Sequence, residues 1–245
     1  MASHRVGARR EDSTRLFMFG KTGHFSTFDW RSETILSFFL FLLVLLGFVF
    51  PCLGVEHRNL PLYGDIAFSV LLIVGAMSAW GDRRLFVLAS LVVSIAMIVR
   101  WANWWAPTNT LTIWSAWTGL AAIIMVTALL LWRVFSPGPV TSMRVQGAVA
   151  AYLSLGFGWA HAYHIAAILD PGAFAPTGSN LSAVSSWVNY SFGMLTTLGY
   201  QGIAPVHAVA HTLGSGEAVT GQLYLAVLVA RLVSQQMSTT QTPRN

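Results

Sequence analysis

Long apolar runs alternate with short polar punctuation along most of this chain, and the length of each run decides what it can be. Residues 35–55 are apolar throughout. At 1.5 Å per residue a helix over them crosses the hydrocarbon core of a bilayer, about 30 Å thick. Pro61 and Gly64 punctuate the next turn, residues 62–80 form a second run, and Gly81, Asp82, Arg83 and Arg84 make a tight charged turn into a third, residues 85–101. Residues 103–110, with Pro107, form the next turn, and residues 111–132 make a fourth run closed by Arg133. Ser136, Pro137, Gly138 and Pro139 cannot continue a helix. They place a linker at residues 136–144, between a four-helix membrane domain at 35–135 and a second membrane domain at 145–234. The second domain opens with a fifth run, residues 145–169, and an outer loop containing Asp170, Pro171, Gly172 and Pro176. Residues 181–195 are apolar but too short to span, which predicts a re-entrant helix. Residues 206–233 form a long last helix. A basic leader, residues 1–34, and a polar tail, residues 235–245, flank the whole. The pattern predicts an all-α integral membrane protein with six transmembrane helices and a re-entrant segment between the fifth and sixth.

Composition sharpens the class. Hydrophobic residues make up 55% of the 245 and charged residues 9%, against about a quarter charged in soluble domains. That excludes a soluble enzyme, and no stretch has the bulk of a cytosolic ligand-binding domain. An excess of 14 Lys and Arg over 9 Asp and Glu would suit nucleic acid on a solvated face, but these residues sit in tails and short turns. Orientation in a bilayer explains them, and no nucleic-acid partner is expected. With six spans, only Arg58 and Arg100 fall on the side opposite the other Lys and Arg residues, so both termini are expected to be cytoplasmic. Trp101, Trp104, Trp105, Trp114 and Trp117 gather near the outer boundary, and Trp80 and Trp132 near the inner one, as aromatic belts do. Cys52 is the single cysteine and forms no intrachain disulfide.

Between the re-entrant helix and the last run lie Thr196, Thr197, Leu198, Gly199, Tyr200, Gln201 and Gly202. Backbone that leaves the helix at membrane depth is tolerated only where it is buried in protein or lines a watery cavity. Thr196 to Tyr200 resembles the ion-selectivity filter of tetrameric potassium channels, and residues 145–234 resemble the pore unit of that superfamily: outer helix, pore helix, filter and inner helix. The whole chain is similar to small bacterial channel proteins of the two-pore-domain-like pore family that carry four extra helices ahead of one pore unit, the inner-helix end reading alike from Gly221 to Val233. The resemblance implies a homotetramer in the cell inner membrane that conducts monovalent cations passively, with no enzymatic activity. It implies no cofactor beyond potassium ions held by the carbonyls of Thr197, Leu198, Gly199 and Tyr200. Such a filter needs backbone conformations of alternating hand, and Gly199 serves a left-handed position because a Cβ there costs about 1–2 kcal/mol. Members of the family usually continue Gly-Tyr-Gly-Asp. Here Gln201 and Gly202 take the last two places, which predicts an altered outer mouth and weaker discrimination of potassium from sodium. The fourth run lacks the ladder of arginines that voltage sensing of the family's kind requires.

Other residues carry two readings. Gly221 is a hinge candidate in the last helix, or a site of close helix packing. Glu217 is read as the only acid in the interior of a span, and a structural hydrogen bond behind the pore helix is favoured for it over an ion or proton site. His207 and His211 are four apart at the outer start of the last helix, where they would make an outer zinc or proton site or a plain packing pair. His161 and His164 pose the same choice on the fifth run. Ser215 follows His211 by one helical turn, which admits an intramembrane enzyme, although such enzymes draw nucleophile and base from different helices. A further alternative is a channel-like protein that does not conduct.

Overall fold

The computed structural model describes residues 30–49, 60–79, 82–136, 141–176, 184–199 and 202–240. Met1–Arg31 and Ser32–Asn245 are separate units, and every side-chain contact given below lies within the second. Helix α1 spans Trp30–Val44 and continues as a π-helical turn over Leu45–Val49; α2 spans Leu60–Met77, α3 Arg83–Trp105 and α4 Asn109–Phe135. Helix α5, Ser142–Leu169, is followed by strand β1, Phe174–Pro176, then short α6, Val184–Leu195, strand β2, Ile203–Pro205, and long α7, Ala208–Thr240.

Local chemistry sets the helix ends. Asp82 accepts from the backbone N–H groups of Arg84 and Leu85, and Thr108 accepts from that of Leu111, so α3 and α4 both begin on a side-chain cap. Helix α1 begins at Trp30, ahead of the apolar run, and carries Glu33 in its first turn, where a negative charge suits the helix dipole. Helix α5 likewise starts before its apolar run, at Ser142.

The chain is all-α, with several long apolar helices able to cross a membrane. Among the described residues, Arg83–Trp105, Asn109–Phe135 and Ala208–Ser234 meet both length and apolarity, while Glu33–Val49 and Leu62–Met77 are apolar but shorter. Helix α5 is long enough at 28 residues but less apolar, and its packing explains why. Its buried positions include Gly147, Ala148, Ala150, Ala151, Ser154, Gly156 and Ala160, and it packs against α4, α6 and α7. Inside a bilayer no water is expelled when apolar helices meet, so association rests on close packing and hydrogen bonds, which favour small residues at the contact.

Two features depart from the sequence reading. Glu217 is not the only acid inside a helix, because Asp65 lies within α2 and pairs with Arg100 of α3, Oδ1 accepting from Nε at 2.9 Å and from Nη2 at 2.5 Å. The Arg100 guanidinium lies 4.7 Å over the Phe68 ring, and Phe68 stacks on His161 of α5 at 4.8 Å. Charge, ring and imidazole thus join α2, α3 and α5. The second departure is the antiparallel pair of β1 and β2, with Phe174 opposite Pro205 and Pro176 opposite Ile203. It fastens the loop after α5 to the segment just before α7.

Candidate functional site

Helix α6 has 12 residues, about 18 Å of helix, which is too short to cross a bilayer. It is held on several sides. Trp187, Tyr190, Ser191 and Leu195 are buried, and two of its aromatic residues sit among rings: Trp187 against Phe174 at 5.1 Å and Tyr190 against Tyr163 at 4.8 Å, both edge to face. Phe192 reaches the other way, toward Gly156 of α5 and toward Gly47 in the π-helical turn that ends α1. A Cβ on Gly156 would stand 2.7 Å from Phe192, so the glycine is what lets the ring approach.

Glu217 lies fully buried on α7 behind this helix. Tyr163 Oη of α5 lies 2.5 Å from Oε2 and Ser191 Oγ of α6 lies 2.5 Å from Oε1, while Ser191 Oγ is also 2.7 Å from the Gly156 carbonyl. One carboxyl group therefore ties three helices together. Glu217 could be singled out from sequence as an isolated acid in an apolar helix; Tyr163 and Ser191 carried no such mark.

The C-terminal end of α6 meets α7 and α5 at Leu195. Its carbonyl accepts from Tyr152 Oη at 3.3 Å, and a Cβ built on Gly221 would stand 2.2 Å from that same oxygen. Tyr224, one turn along α7, donates to Ala148 O at 2.7 Å and lies ring to ring with Tyr152. Gly221 is thus a point of backbone-to-backbone contact between the short helix and the long one.

From Leu195 the chain turns back. Thr196 N–H and Oγ1 both donate to Phe192 O, Thr197 N–H donates to Met194 O, and Gly199 N–H reaches Gly193 O at 3.0 Å, so the loop folds over the helix end. Thr197 has φ +57° and Gly199 φ +92°, while Leu198 between them is not in the positive region. The backbone therefore alternates in hand over three residues. A β-branched residue at positive φ is a genuine outlier, and Thr197 was not expected to be one; its Oγ1 donates to Thr196 O at 2.7 Å and lies 3.4 Å from Gln222 Nε2. Thr196, Thr197 and Leu198 are exposed on the single chain, and among the described residues no atom beyond the adjoining residues lies within 4 Å of a Cβ built on Gly199. Tyr200 and Gln201 lie outside the described residues. Gly202 resumes at φ +77° just ahead of β2.

The remaining candidates are dispersed. His207 Nδ1 meets Asp170 Oδ2 at 2.5 Å, with both side chains about half exposed at the start of α7 and the end of α5. The hydrogen bond from His207 holds the Asp170 carboxyl below its usual range. His211 lies one turn further on, exposed. His161 is buried, its Nδ1 3.0 Å from Phe157 O and its ring stacked on Phe68, and His164 does not share that stack. Ser215 is exposed on α7 and makes no hydrogen bond with His211. Among the described residues no three His, Cys, Asp or Glu side chains come together in a group that could hold a metal ion. No protein-family model, curated protein or solved structure matches the chain.

Proposed function

We propose that four copies of this chain form a cation channel with a preference for potassium, each contributing a re-entrant pore helix, α6, and a filter segment, Thr196 to Gly202, between outer helix α5 and inner helix α7. The observation that carries the reading is the backbone over Thr197, Leu198 and Gly199, alternating in hand directly after a helix too short to span. Alternation lets successive carbonyls face the same way, which is what replacing an ion's hydration shell requires. The anchoring of α6 supports the same reading, because a filter keeps its diameter only if the helix beneath it cannot shift. In this arrangement the carbonyls of Thr197, Leu198, Gly199 and Tyr200 hold potassium in series and the Thr197 hydroxyl adds an inner ligand. Gln201 and Gly202 replace the usual glycine and aspartate of the outer mouth, so fewer sites act in series and sodium is rejected less strongly. Six spans with both termini cytoplasmic complete the topology, in the resemblance's bacterial inner membrane.

The test is flux through purified full-length chain in liposomes under potassium, sodium and chloride gradients, with the double variant Gln201→Gly/Gly202→Asp alongside. Potassium flux exceeding sodium flux, with a higher ratio in the double variant, is the expected result. Chloride passing as readily as potassium, or an assembled tetramer that passes no cation, overturns the proposal.

A further inference from the structure

Proton counting at the buried site behind α6 assigns a protonation state. Ser191 Oγ stands 2.7 Å from Gly156 O and 2.5 Å from Glu217 Oε1. A serine hydroxyl carries one proton, and a backbone carbonyl oxygen only accepts. If Ser191 donates to Glu217, its contact with Gly156 sets two oxygens against each other with no proton between them. If Ser191 donates to Gly156, the proton in the other contact has to come from the carboxyl. Tyr163 completes the set by donating to Oε2.

The surroundings point the same way. Glu217 has no exposed surface, and among the described residues the Asp65–Arg100 ion pair and the Asp170–His207 contact leave it without a cationic partner. A charged carboxylate in an apolar interior with no countercharge is strongly disfavoured. A neutral acid, donating from Oε1 to Ser191 and accepting at Oε2 from Tyr163, fits the two oxygens that contact it.

We propose that Glu217 is held as the neutral acid and donates its own proton to Ser191, so that one chain of donors runs from Tyr163 through Glu217 and Ser191 to the Gly156 carbonyl. Glu217 is then a positioning residue. It locks α6 to α5 and α7 and places no negative charge behind the filter segment. Its importance for conduction rests on the channel reading above; its protonation does not.

The experiment is infrared spectroscopy of the purified full chain at neutral pH, with and without glutamate labelled at the side-chain carboxyl carbon with carbon-13. The expected result is a protonated-carboxyl C=O band that moves with the label and disappears in Glu217→Gln. Should that variant not fold, Ser191→Ala decides: removal of the acceptor shifts the band if it belongs to Glu217, and an unmoved band overturns the proposal. Absence of any label-sensitive protonated band in the unmodified protein also overturns it, and leaves the channel reading untouched. Glu217→Gln keeps an N–H for Ser191 and a C=O for Tyr163, so its unfolding temperature is expected near that of the parent. A drop as large as that of Glu217→Ala counts against the neutral acid, because an amide would then be meeting two donors.

Discussion

The Leu195 carbonyl oxygen occupies the place that a side chain at Gly221 would need, 2.2 Å from a Cβ built there. The contact is with backbone, at the end of a helix held on several sides, so rotating a side chain cannot relieve it. Gly221→Ala is expected to destabilise the protein by about 1–3 kcal/mol, the usual range for overpacking. Gly216→Ala is the control, since its new methyl would lie in ordinary contact at 3.5 Å from Trp159. Thermal unfolding in detergent checks both. Equal unfolding temperatures for the two variants would show that α6 and α7 separate easily at Leu195.

Gly199 separates conformation from space. Its φ is +92°, and within one chain no described residue beyond its neighbours in sequence stands within 4 Å of a Cβ built there. An L-alanine at this position meets no other described residue of its own chain yet is strained by about 1–2 kcal/mol. A D-alanine, introduced by peptide ligation, adopts the same φ without that strain. Gly199→Ala is therefore expected to lower the unfolding temperature and abolish selective potassium flux, and the D-alanine form to keep the parent's unfolding temperature. If both forms fall alike, bulk and not handedness is what residue 199 excludes.

How much of this was legible beforehand follows from the range of each interaction. Run length alone separated α6 from the longer helices, because bilayer thickness is an external ruler. Glu217 stood out because a lone acid among apolar residues has no local reason to be there. Its partners did not, since Tyr163 and Ser191 become partners only when α5 and α6 are brought alongside α7. Asp65 and Arg100 were missed for the same reason: read separately, each passes for the polar margin of a run, and only the packing of α2 on α3 cancels their charges. The positive φ of Thr197 ran against intrinsic preference, as loop closure over a helix end can dictate. The pairing of β1 with β2 left no alternating pattern, each strand being three residues long.

The Asp170 and His207 pair gives a pH dependence with a definite sign. The His207 hydrogen bond, with a smaller contribution from the Gly172 N–H at 3.3 Å, holds the carboxyl below its ordinary value of 3.8. A carboxylate lowered in the folded state contributes stability that is fully present above the unfolded value and is lost as pH falls through the folded one. Hydrogen exchange at the Gly172 amide is therefore expected to stay protected from mildly acidic to neutral pH and to accelerate below pH 3.8, relative to intrinsic exchange. Asp170→Asn should remove that acid-side step. An unchanged step in the variant would assign it to another carboxylate.

Asp65 and Arg100 offer the sharpest test of how the first four helices are held. Their side chains are 28% and 16% exposed, so each is partly withdrawn from solvent within a helix, where a charge without its partner is disfavoured. Removing one partner leaves the other uncompensated; removing both does not. Asp65→Asn and Arg100→Gln are each expected to destabilise by about 1–3 kcal/mol, with the double variant less damaged than the sum, as interacting neighbours require. Arg100 also covers the Phe68 ring that stacks on His161, so Arg100→Gln should cost more than Asp65→Asn. A double-mutant cycle by thermal unfolding of the solubilised chain measures the coupling. A coupling energy of zero would mean that the two charges are solvated independently and that the ion pair does not hold α2 to α3.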